Sequence, residues 1–138
     1  MNIRLSRTDY AKIEAHARAG LPNEACGLIA GTVNGDTKTV EKVYLLTNTD
    51  ASHEHFSIDP REQLAAVKDM RANGFKPLGN FHSHPQTPAR PSEEDIRLAH
   101  DSAASYLIIS LAESVAVLRA FHVEAGTASA ETIEVFDS

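Results

Sequence analysis

The sequence predicts a single α/β domain, layered around a mixed sheet. Helix-like and strand-like segments alternate through most of the chain, and three strand-like runs follow one another at its end. Size agrees: 138 residues with a hydrophobic fraction of 42% can bury one core without disulfides. No linker, repeat or low-complexity tract marks a second domain, so residues 1–138 are read as one unit.

Ser6 and Asp9 have the spacing of an N-cap and an acid at N3, and Tyr10, Ile13 and Ala17 then recur on one face before Gly20, which predicts a first helix. "CGLIAGTV", "NGD" and "TKTVEKVYLL" read as strand, tight turn and strand, hence a β-hairpin. Asp59 as cap, Pro60 at N1, Glu62 at N3, apolar Leu64, Val67 and Met70, and Gly74 as terminator predict a second helix. "KPLGNFHS" is the next expected strand, and "SEEDIRLAHDSA" a short third helix carrying Ile96 and Ala99 on one face. "SYLIISLA", "SVAVLRAFHVE" and "ETIEVFDS" complete the sheet with three β-branched and aromatic runs.

Charge and cysteine content narrow the function. With 13 Lys and Arg against 19 Asp and Glu, the formal charge is −6, and no basic run could track a phosphate backbone, so nucleic acid is not the expected partner. The one cysteine, Cys26, cannot form an internal disulfide, and without a base beside it the expected role is a small buried side chain. No apolar run is long enough for a bilayer, and the first residues lack a secretory h-region, so no membrane partner and a cytoplasmic address are expected.

Chemistry concentrates in "NFHSHPQTPARPSEED", residues 80–95. In an extended segment His82 and His84 point to the same face, so two imidazoles can meet one metal ion. "PQTPARP" contains three prolines, which fix φ and stiffen the bridge to Ser92 and Asp95. Those two lie three apart on one helical turn, where the carboxylate could complete a His, His, Asp set. Three protein ligands leave a tetrahedral zinc with an open position for water, the catalytic rather than the structural arrangement. A glutamate would still be needed to move protons. Glu24, just ahead of the apolar run "ACGLIAG", is one candidate, which residue order alone does not separate from the other acids or from a surface acid beside a turn. Ser92 has two readings, helix N-cap or hydrogen-bond donor to an oxyanion, and both stay open. "HEHF", residues 53–56, lacks a downstream acid at helical spacing and is read as a loop or substrate-facing edge. His16, His100 and His122 are read as structural or exposed, the first two within helices.

"PNEACGLIAG" followed by H-x-H, seven residues, Ser, two residues and Asp resembles the JAMM (MPN-plus) metallopeptidase family, compact single-domain bacterial type. The resemblance covers most of the chain. It implies a three-layer α/β/α sandwich of the cytidine-deaminase type, and one zinc per chain held by His82, His84 and Asp95. It also implies Glu24 as general acid and base, Ser92 as oxyanion donor, and hydrolysis of a peptide or isopeptide bond near the C-terminus of a ubiquitin-like or sulfur-carrier protein.

Three other functions share parts of this pattern. A ligand-depleted MPN-type scaffold is disfavoured by the complete ligand set. A deaminase would need a P-C-x-x-C pair that one cysteine cannot supply. A RadC-like, DNA-repair-associated protein is disfavoured by the acidic balance.

Overall fold

A computed structural model describes residues 1–137. The elements run β1 (Asn2–Ser6), α1 (Arg7–Gly20), β2 (Cys26–Asn34), β3 (Thr37–Leu46), α2 (Pro60–Ala72), β4 (Lys76–His84), α3 (Glu93–Leu98), β5 (Ser105–Ser110), β6 (Val117–Glu124) and β7 (Thr127–Phe136). The α/β class and the mixed sheet hold, with β4 and β5 parallel and β2, β3 and β4 antiparallel. The three-layer sandwich does not describe the ladders. Strand β1, which the sequence reading missed, pairs in parallel with both β3 and β7, and the sheet closes as β1-β3-β2-β4-β5-β6-β7. Only five residues long, β1 offers little periodicity, yet Ile3 and Leu5 are fully buried. Closure removes sheet edges that would otherwise carry unpaired backbone groups.

Both long helices start where expected. Ser6 Oγ accepts from Asp9 N at 3.0 Å, and Asp59 Oδ1 accepts from Arg61 N at 2.8 Å. They pack on opposite faces of β2: Ile13 and Ala17 of α1 join Ile29, Leu78, Phe81 and Leu107 in the main core, whereas Ala66 and Met70 of α2 meet Ala30 on the other side. Leu64, expected in the apolar stripe of α2, is 56% exposed, because α2 covers a narrow strip of the barrel's outer surface. The hairpin turns at Gly35, with φ of +61°. Helix α3 ends at Leu98, short of its expected extent; Asp101 caps a turn there, its Oδ1 accepting from Ala103 N at 2.9 Å, so His100 lies outside the helix. Strand β7 begins earlier than expected, at Thr127, and the last residue of the expected run, Ser138, lies outside the described residues. No helix among the described residues is long and apolar enough to cross a membrane.

One irregularity in β4 positions the site. Its register against β2 shifts where Gly79 faces Ile29 and Pro77 faces Ala30, leaving Leu78 as the extra residue. Leu78 and Phe81 can then both enter the main core although they are three residues apart. Gly79 has φ of +155°, and a Cβ there would lie 1.8 Å from the Ser105 carbonyl oxygen, so only glycine fits. Lys38 braces the same region, its Nζ donating to Leu78 O, Ala103 O and Ser105 Oγ at 3.2, 2.7 and 2.8 Å.

Helix α2 is tethered to the sheet by Asp69, whose Oδ2 accepts from Lys42 Nζ at 2.7 Å and from Tyr44 Oη at 2.6 Å. The Lys42 hydrogen bond, then that of Tyr44, lowers the Asp69 pKa below its ordinary 3.8. A depressed folded-state pKa means stability that is present above 3.8 and lost as pH falls below it. Asp69→Asn is therefore expected to melt below the wild type at neutral pH, with the gap closing in acid; thermal melts across that range check this, and a constant gap would contradict it.

Candidate metal centre

Beyond the Gly79 bulge, β4 alternates regularly. His82 and His84 emerge on the outer face, while Phe81 and Ser83 turn toward the interior. Ser83 does not merely fill space: its Oγ accepts from Ala25 N at 2.7 Å, and its own amide donates to Ala25 O at 2.9 Å. The residue between the two histidines thus holds the neighbour of Glu24.

The stiff bridge expected between His84 and Ser92 makes a specific contact. Pro88 O lies 2.9 Å from His84 Nδ1 and accepts its hydrogen, which leaves Nε2 as a lone pair. Ser92 N-caps α3 in a capping box: its Oγ accepts from Asp95 N at 3.0 Å, and its amide donates to Asp95 Oδ2 at 2.9 Å. That box aims the carboxylate. Asp95 Oδ2, His82 Nε2 and His84 Nε2 form a triangle with all three sides 3.1 Å. A tetrahedral zinc with bonds of about 2.0 Å would hold its ligand atoms roughly 3.3 Å apart, so the triangle fits such an ion with little rearrangement. The donor chemistry fits as well, since two imidazole nitrogens and a carboxylate oxygen converge on one point and a cation relieves their repulsion.

Electrostatics separate the two rings. Burial lowers the pKa of His82 and keeps its ring neutral, as a metal ligand must be. Burial also acts to lower His84, but its hydrogen bonds to Asp95 and Pro88, with the charges of Asp95 and Glu24, outweigh it and raise the pKa. Burial opposes ionisation of Asp95 too, yet the facing imidazoles of His82 and His84, with the Ser92 amide that donates to it, hold its carboxyl well below the usual range.

Glu24 is 5% exposed, lines a cavity of about 210 Å³ with His84 and Ser92, and its Oε1 is buried without a hydrogen-bond partner. Burial, reinforced by Asp95 and Glu94 and opposed by His84, raises its pKa from 4.5 to about 8. The structure thus brings together all five residues that sequence reasoning singled out. It sets Cys26 apart: burial pushes the thiol up to about 12, so it stays protonated. His16 is structural, its Nε2 lying 3.1 Å from Cys26 O and 3.0 Å from Leu46 O.

Sequence reasoning missed Phe56, whose ring stacks on His82 with centroids 4.7 Å apart and planes at 24°. "HEHF" drew notice for its histidines rather than its aromatic, and nothing in the chain order signals that this loop folds over β4. His53 and Glu54 of the same segment line the Glu24 cavity.

The pattern of prokaryotic homologs of the JAB domain matches residues 7–123. The chain belongs to the prokaryotic JAB family. A protein of this kind from Mycobacterium tuberculosis, named CysO-cysteine peptidase, is 32% identical over 124 residues, covering 89% of this chain and 84% of its own. A desampylase of Haloferax volcanii is 32% identical over 103 residues, 71% of this chain and 73% of that one. The solution structure of a Desulfitobacterium hafniense protein superimposes with a TM-score of 0.91 at 55% identity, covering 99% of this chain and 94% of that one.

In this JAB-family chain, the raised pKa of Glu24 has a consequence for the metal-free protein. Stability contributed by the protonated carboxyl is complete below 4.5 and is lost as pH rises through about 8. Glu24→Gln, which cannot ionise, should gain in melting temperature over the wild type across that window when both are kept in chelator, and a pH-independent difference would count against the buried position of Glu24.

Proposed function

We propose that the chain is a zinc-dependent hydrolase that cleaves a peptide or isopeptide bond at the C-terminal end of a ubiquitin-like or sulfur-carrier protein. The observation that carries this reading is the triangle of His82 Nε2, His84 Nε2 and Asp95 Oδ2 beside a buried, unpaired glutamate. A bound zinc would lower the pKa of water and polarise the substrate carbonyl.

Each residue then has a physical task. His82, His84 and Asp95 hold the ion; the Pro88 carbonyl orients His84, and the Ser92 amide orients Asp95. Glu24 takes the proton of the attacking water and returns it to the leaving nitrogen, and burial keeps the carboxylate basic enough to do both. Ser92 Oγ accepts from the Asp95 amide through a lone pair, which leaves its own hydrogen free to donate to a developing oxyanion. Cap and oxyanion donor are therefore compatible roles for one hydroxyl.

The surroundings suit a chain crossing the site. On the His82 and Asp95 side lies a cavity of about 330 Å³ with Phe56, Ile58, Leu98, Ile108 and Val123 in its wall. On the Glu24 side lies the smaller, polar cavity. Because Glu24 must reach the leaving amine, the acyl component belongs on the apolar side. Substrate class rests on the resemblance and on the relatives named CysO-cysteine peptidase and desampylase. A ligand-free scaffold has no use for three convergent donors.

Glu24→Gln should lower hydrolysis of a carrier conjugate at least about 100-fold with zinc still bound, whereas His82→Ala and Asp95→Ala should lose the zinc. Mass spectrometry of products alongside metal analysis checks both, and wild-type turnover by Glu24→Gln would sink the mechanism. Protons compete with metal for the imidazoles, and His84 titrates above its ordinary 6.5. Zinc affinity should thus fall as pH is lowered through neutrality, as read by competition with a coloured chelator; a flat profile would refute it.

A further inference from the structure

Asn48 lies outside every motif, yet its side chain is the hub of the loop over the site. Its Nδ2 donates to Glu24 O at 3.0 Å and to His55 O at 3.1 Å. Its Oδ1 accepts from Asp50 N at 3.0 Å and from Ser57 N at 3.1 Å. Both donors and both acceptor sites of the amide are used, and exchanging O for N would set two N–H groups against an NH₂, so the orientation is determined.

The four partners are not scattered. His55 and Ser57 flank Phe56, whose ring lies 4.7 Å from that of His82. The Glu24 peptide is gripped from both directions by the same loop, because its amide donates to Ser52 O at 2.7 Å while its carbonyl accepts from Asn48. One amide therefore connects the backbone of Glu24 to the segment that presses on a metal-ligand ring. Asn48 also bridges to Ile58, which closes the loop at its base.

We propose that Asn48 is a positioning residue for hydrolysis: it sets Glu24 against the His82, His84 and Asp95 triangle by tying the Glu24 carbonyl and both peptide units around Phe56 to one side chain. The inference rests on Glu24 as the proton carrier. Asn48 touches none of the reacting atoms, so its removal should act through Glu24 and leave metal binding intact. A misplacement of about 1 Å in such a constellation costs about 100-fold in rate.

The test uses Asn48→Asp, which keeps the two acceptor contacts and loses the two donors, and Asn48→Ala, which loses all four. Both are made in the wild-type and Glu24→Gln backgrounds. The probe is a peptide ending in Gly-Gly joined by an amide to aminomethylcoumarin, with hydrogen exchange measured on the same zinc-loaded proteins. Asn48→Asp should lower kcat at least tenfold with KM changed less than threefold and one zinc per chain retained. It should have no further effect in the Glu24→Gln background, since groups that act as a unit are non-additive. The Glu24 amide should exchange at least tenfold faster in Asn48→Ala, while core amides such as that of Ile29 stay protected. Wild-type kcat in both Asn48 variants, an equal loss in both backgrounds, lost zinc, or unchanged Glu24 exchange would overturn the proposal. Full activity of Glu24→Gln alone would instead remove the reading beneath it. Should Asn48→Asp not fold, Asn48→Ala decides by the same criteria.

Discussion

The candidate site depends on the alternation of β4 across three residues, His82, Ser83 and His84. A strand sends neighbouring side chains to opposite faces, so one short segment does two jobs. Outward, it presents two imidazoles to Asp95 Oδ2. Inward, the buried Ser83 hydroxyl clasps the Ala25 amide and so holds the start of β2 beside the metal triangle. Leaving such a buried polar group unpaired would cost about 1–3 kcal/mol, so the clasp couples fold stability to the placement of Glu24. The phase of that alternation is set upstream, at the Gly79 bulge, where any side chain would collide with Ser105.

Around this strand the site is assembled from pieces that are stiff for different reasons. The capping box of α3 fixes Asp95, because the carboxylate that faces the histidines also receives the Ser92 amide. Pro88 fixes His84 through its carbonyl, which selects the tautomer that leaves Nε2 bare. Phe56 fixes His82 by stacking. The result resembles a preorganised cage, in which the reorganisation that metal binding would otherwise require has already been met by folding.

Burial common to both and hydrogen bonding at only one explain the opposed behaviour of the two carboxyls. Asp95 Oδ2 lies 3.1 Å from the Nε2 of each histidine, accepts from the Ser92 amide and stays ionised despite burial, while Glu24 has no partner on Oε1 and is pushed to about 8. Two buried acids are thereby given opposite protonation tendencies by their environments alone, the division of labour that the proposed hydrolysis needs.

Much of this was legible in the order of residues. Local rules sufficed for α1 and α2, whose caps are one-residue signals, for the hairpin at Gly35, and for the pairing of His82 with His84 on one face. The gap from His84 to Asp95 was readable too, since prolines stiffen it and a helical turn sets Ser92 against Asp95. What the chain order could not show depends on contacts between distant segments. Strand β1 exists because β3 and β7 flank it, and its pairing turns a layered sheet into a closed barrel. Phe56 and Asn48 matter only because their loop lies across β4 and Glu24, and no periodicity records that approach. The sequence by itself determined the His82, His84 and Asp95 set and its spacing, because those follow from strand and helix geometry. Tertiary structure alone decided the burial of Glu24 and the bracing of the cage, because both arise where segments far apart in the chain exclude water together.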